Sequence, residues 1–213
     1  MAERKRKPKS LSLTSDVGPA ERPSSFRASF SKLSKVLGVH EQTFKKWRRE
    51  GLLGDYKPKA TGGRSALEHD RTAGAMLTIG SWLKWLYPGK VGAHIVELAM
   101  RRSLAKLSMK IPDDHSTILL IQKDVEDHIQ SKVFNIDNKK LKSLNKKLES
   151  VPEDSKEVES MADVFFLDVI KTVWINVTIV ERMSIELIES SIEQGSFDFE
   201  DFEKNFSTIG KIA

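Results

Sequence analysis

Between residues 30 and 53 the chain reads FSKLSKVLGVHEQTFKKWRREGLL, and the spacing of its apolar residues leaves few ways to fold it. Phe30, Leu33 and Leu37 recur at i, i+3 and i+7, with Val36 beside them, so they share one face of a short helix. Gly38 breaks the pattern, because glycine takes a left-handed turn at low steric cost. Val39 is then placed to plug the turn against a core. A second helix is predicted over Glu41–Glu50, with Phe44 and Trp47 facing inward and Gln42, Thr43, Lys45, Lys46, Arg48 and Arg49 facing outward. Gly51 ends it ahead of Leu52 and Leu53.

Charge divides the chain. Residues 1–64 hold 16 Lys and Arg against 6 Asp and Glu, whereas residues 150–203 hold 3 against 14. Such asymmetry suggests different partners at the two ends, nucleic acid at the basic one and a protein at the acidic one. Residues 1–25 open with Arg4, Lys5, Arg6, Lys7 and Lys9 and are poor in apolar groups, which predicts a disordered basic arm. The absence of cysteine excludes disulfides, thiolate-bound zinc and iron–sulfur clusters. No apolar run follows the N-terminal cations as a secretory signal would need. The apolar segment 161–188 is interrupted by Asp163, Asp168, Lys171, Glu181 and Arg182, against a membrane span. The expectation is a cytoplasmic, nucleoid-associated protein with no membrane partner.

Along the rest of the chain, GDYKPKATGGR (residues 54–64) suits two short strands joined at a Gly-rich tip. Helical spacing is read from Leu67 to Leu86 and again from Val91 to Leu107, with Pro88-Gly89 between. After Pro112 and the Asp113-Asp114 cap signal, Ile118, Ile121, Val125, Ile129 and Val133 predict a further helix. Leu141, Leu144 and Leu148 mark a short basic one. A long helix is predicted over 155–194 from Phe166, Ile170, Val173, Val177, Val180 and Leu187, with Ser184 in the one polar slot, as an intramolecular bundle or a dimer interface. The β-branched run VWINVTIV (173–180) keeps a strand open as the alternative there. Phe197, Phe199, Phe202 and Phe206 sit among acids, where a segment docking on its own core is preferred over a partner site.

A helix that lies on phosphates needs cations on one face, apolar anchors on the other and a neighbouring helix to fix its angle. Residues 30–53 supply all three, which is the logic of a helix-turn-helix, with an ordinary solvated helical hairpin as the plain alternative. Gln42 and Thr43 are placed for base edges, and the cations for phosphates. This stretch, followed by GGRSALEHD, resembles the winged helix-turn-helix of the MerR superfamily over about residues 30–80. The resemblance implies that Gln42, Thr43, Lys46 and Arg48 lie on the recognition helix and that Arg64 is the wing arginine on the backbone. It also places Glu68 and Asp70 at the acidic start of the next helix. Gly63 and Ala66 stand where the family usually flanks its wing arginine with aromatics, and Arg71 where an apolar residue is usual.

The predicted fold class is mostly α: an N-terminal winged helix-turn-helix (26–87) and a helical bundle or coiled-coil dimerisation or partner-binding domain (88–213). The predicted function is sequence-specific binding of double-stranded DNA as a homodimer that regulates transcription. Lys45, Arg49, Lys57 and Lys59 join the DNA-binding set. The alternatives are a phage or mobile-element DNA-recognition subunit, resembling a terminase small subunit or an excisionase, and an adaptor whose basic helix binds an acidic protein. No phosphate-cradling loop and no His pair at metal-ligand spacing occurs, so no enzyme, cofactor or metal is predicted.

Overall fold

Every residue from Ala73 to Leu83 is buried, on all sides of one helix. A helix of that kind must be wrapped by other elements, and the rest of the chain does so. The computed structural model describes residues 24–54, 67–109, 112–124, 128–143 and 169–210. In chain order the elements are β1 (Ser25–Ala28), α1 (Phe30–Leu37), α2 (Glu41–Arg49), β2 (Leu67–Asp70), α3 (Arg71–Leu86) and α4 (Gly89–Leu107). They continue with β3 (His115–Asp124), β4 (Ile129–Asp137), β5 (Val169–Asn176), α5 (Val177–Gln194), α6 (Phe199–Phe206) and β6 (Ser207–Gly210). The architecture is mixed, helical with two small antiparallel sheets, β1–β2 and β4–β3–β5–β6.

The wrapped helix is α3. Its Gly74 lets α5 approach: a Cβ there would lie 2.8 Å from Ser184 Oγ and 3.3 Å from the Phe26 ring. Ser184 satisfies its hydroxyl by donating to the Arg71 and Glu181 carbonyls, both at 3.0 Å. The polar slot read in the sequence is thus where two helices cross closely. Val177, Val180, Ile185 and Ile188 of α5 are buried within the same chain. Most buried hydrophobic residues of α1 to α4, with Leu119 and Ile121 of β3 and those of β5, α5 and α6, form one contiguous core with members on both sides of residue 87.

Two predicted helices are corrected to strands. The segment after Pro112 runs as β3, and β4 pairs with it antiparallel, Leu119 opposite Val133 and Ile121 opposite Ser131. The reason is burial on both faces: Ser116 to Gln122 are all buried, so the apolar run carries no alternation, and its helical spacing was incidental. Leu119 and Ile121 join Val173 and Ile175 in the main core, while Ile118 and Leu120 point the other way. The second correction concerns 155–194. Residues 169–176 are strand β5, and helix begins only at Val177, where Asn176 Oδ1 accepts from the Ile179 amide at 3.1 Å. The β-branched alternative holds up to Asn176 and fails beyond it.

Elsewhere the reading and the fold agree more closely. α1, α2 and α4 lie within a few residues of their expected spans. Asp70 caps α3, accepting from the Ala73 amide at 2.7 Å, but Glu68 and His69 belong to β2, which pairs with β1 rather than starting a helix. The aromatic tail docks on the core: Phe202 packs at 5.8 Å from Trp82, and Phe199 stacks on Trp85. Tyr87 is largely buried beside it, its hydroxyl pushed up to about 12 by burial and by Glu203. The expected arm up to residue 23, the wing over 55–66 and the first part of the long helix, 155–168, lie outside the described residues.

Candidate nucleic-acid interface

α1 starts at Ser29, whose hydroxyl accepts from the Lys32 amide at 3.1 Å, and stops at Gly38, which is left-handed at φ 62°. A side chain at that φ would be strained, so Gly38 fixes the bend between the helices. Val39 is buried and plugs the turn. His40 caps α2, its Nδ1 accepting from the Gln42 amide at 3.2 Å.

α2 is held from behind by two fully buried aromatics. Phe44 lies 6.0 Å from the Phe30 ring and 5.6 Å from Trp47. Trp47 presses on α3 where Gly80 leaves room, since a Cβ there would sit 2.8 Å from the indole. At the far end of α1, the Phe197 amide donates to the Val36 carbonyl at 3.0 Å. The helical pair is therefore fixed by two other parts of the chain, α3 and the segment at Phe197.

On the outward side, Gln42, Lys45, Arg48 and Arg49 are exposed and Thr43 is half-buried. Lys45 pairs with Glu41 at 2.7 Å, one turn back. Arg48 and Arg49 make no ion pair among the described residues. Both border a cleft of about 480 Å³ together with Ser29, Phe30, Ser31, Glu41, Lys45 and Leu67. The first turn of α1 thus opens onto the same space as three cations of α2. Guanidinium groups favour an anion there, and so does the positive end of the α1 dipole, although Ser29 already takes the Lys32 amide. Cations in the last turn of α2 also complement its dipole, which is a purely structural use of the same residues.

Lys46 is placed differently from its neighbours. Its ammonium is engaged by Glu97 of α4 and lies 3.8 Å from Glu50. The Glu97 hydrogen bond holds the ammonium above the usual lysine range. The Lys46 side chain remains 43% exposed, but its ammonium is committed to Glu97 and Glu50. Lys57, Lys59 and Arg64 lie outside the described residues.

Two residues absent from the expected set shape this region. Glu97 is 51 positions from Lys46, and only tertiary packing brings it there. His69, read in the sequence as part of a helix start, is 3% exposed between Phe26 and Phe30. Its Nε2 lies 3.1 Å from the Ala28 carbonyl, and burial pushes its pKa down, with Arg48 nearby adding to the fall. A neutral imidazole donating to that carbonyl is the form these surroundings favour.

Among the described residues no group of three or more His, Asp or Glu is placed to hold a metal, and no helix is long and apolar enough to cross a membrane. No protein-family model and no curated protein matches the chain, so the likeness of residues 30–80 to the MerR superfamily rests on its quoted motif.

Proposed function

We propose that this protein binds double-stranded DNA by laying α2 in the major groove, and that it regulates transcription at the sites it selects. The observation that carries this reading is the division of α2 into two faces: Phe44 and Trp47 are buried behind it, while Gln42, Lys45, Arg48 and Arg49 stand exposed in front. α1 crosses behind through the left-handed Gly38 turn, as a helix-turn-helix requires. In this reading Arg48, Arg49 and the first amides of α1 meet phosphates across the cleft they share. Gln42 and Thr43, in the first turn of α2, meet base edges. Lys46 serves as a brace to α4.

Selection of bound sequences from random duplex DNA with the purified protein tests this directly. The expected result is an enriched motif whose binding weakens steeply with salt. A folded protein with no salt-dependent binding to any duplex would reject the reading, and the basic helix would then be a docking surface for an acidic protein.

A further inference from the structure

α2 is flanked by a different element on each side. At about 100° per residue, Lys46 and Arg48 stand about 160° apart around the helix, and Gln42 and Arg49 fall between them on the outward side. Lys46 meets Glu97 of α4. Arg48 borders the cleft at the start of α1. The exposed face of α2 is thus bounded by α1 along one flank and by α4 along the other.

The side of α4 that borders α2 is basic. Glu97 is the one acidic residue between Gly89 and Leu107, and its carboxylate is committed to Lys46. Lys90 and His94 stand seven and three positions before it, and Arg101 four after, so all three share its side of the helix. All three are exposed, and among the described residues none makes an ion pair. Arg102 turns away from them and donates to the Ser131 carbonyl of β4. Lys106, nine positions after Glu97, lies about 180° round the helix from it. His94 and Arg101 are about 10 Å apart along the axis, close to the rise of three nucleotides in one DNA strand.

The major groove is about 12 Å wide, and a helix with its side chains about 10–12 Å across. A groove that seats α2 therefore brings one sugar-phosphate backbone to each flank. The cleft at the start of α1 meets one of them. We infer that the exposed edge of α4 binds the other, with Arg101 and His94 as its phosphate contacts and Lys90 one turn beyond. This rests on the DNA-binding reading and adds to it a second strand, held by a second element. The Arg101 guanidinium can take a phosphate through two parallel hydrogen bonds. The His94 ring donates from an N–H in either protonation state. Glu97 lies in the middle of this track, where a bare carboxylate would repel the strand. Its pairing with Lys46 offsets that charge.

The test uses the full chain and the duplex it selects, with single phosphates replaced by neutral methylphosphonates on either strand. R101A should lower affinity about fivefold at 0.15 M salt on every sequence and reduce the salt slope by about one, with its melting temperature unchanged. R101K should keep the slope, since the charge remains. In wild type, methylphosphonates should weaken binding at phosphates of both strands within one half-site. R101A should abolish that sensitivity at one phosphate, and H94A at another about three nucleotides away on the same strand. R48A should abolish it on the opposite strand. K106A, on the far side of α4, should change neither affinity nor slope. The inference is overturned if R101A and H94A bind like wild type, which would make the edge a solvated one. It is also overturned if Arg101 and Arg48 prove to meet the same strand, or if K106A loses as much slope as R101A. A wild-type protein that binds no duplex overturns it together with the DNA-binding reading; wild-type binding untouched by R101A overturns it alone.

Discussion

Lys46 of α2 and Glu97 of α4 form an ion pair that turns one cation of a basic helix back onto the protein. Releasing that cation should add a phosphate contact. In E97Q, the slope of log affinity against log salt should steepen by about one, and binding should tighten at low salt on all duplexes alike. K46A in the wild-type background should leave the slope nearly unchanged. An equal loss of slope in K46A and R48A would show that Lys46 already meets phosphate.

Reading and holding should separate on the exposed face of α2. R48A and R49A should each weaken binding to every sequence and reduce the salt slope by about one. Q42A should cost roughly 1–3 kcal/mol on the preferred site and relax the preference at one base pair, with the slope unchanged. Titrations at several salt concentrations on preferred and scrambled duplexes distinguish the two patterns.

The fit of Trp47 over Gly80 makes a stability prediction. G80A would bring a Cβ within 2.8 Å of the indole and 2.7 Å of Met100 Sδ. Overpacking of this kind should cost about 1–3 kcal/mol, since the indole is enclosed and cannot retreat freely. W47A should cost about 3–5 kcal/mol by leaving a cavity. Urea denaturation measures both, and wild-type stability in G80A would mean that the contact relaxes without strain.

His69 should make stability depend on pH. Burial holds its folded pKa below the ordinary 6.5. As pH falls below that value the unfolded chain takes up a proton that the folded chain refuses. The His69 contribution is therefore full above pH 6.5 and is lost progressively below it, by at most about 1.4 kcal/mol per pH unit. Melting temperatures between pH 8 and pH 5.5 should fall less steeply in H69F than in wild type. H69F starts lower, having lost the bond to the Ala28 carbonyl.

The two short helices around Gly38 were legible because everything that shapes them is local: an i, i+3, i+7 stripe, a left-handed glycine and paired aromatics. The β3–β4 pairing was not legible. Ile118 to Ile121 are buried on both faces, and a continuous apolar run fits either period. At Asn176 the sequence did carry a signal. An asparagine whose side chain can cap the amide three residues on marks a helix start, so the β-branched run could have been divided there. The candidate interface was legible as a face but not as a set of partners. Glu97 reaches Lys46, and His69 sits beside Arg48, only through the tertiary fold.

The hydrogen bond from the Phe197 amide to the Val36 carbonyl has a consequence in time. During synthesis α1 and α2 emerge early, yet α1 gains this partner only when residue 197 has been made. α3, buried on every side from Ala73 to Leu83, likewise waits for α5 to cover it. At elongation rates of about 5–20 residues per second, roughly 7–30 s separate the end of α2 from Phe197. For that interval a nascent chain carries the basic helix without the scaffold that sets its angle, and a ribosome that stalls in between releases a product with bare apolar surface.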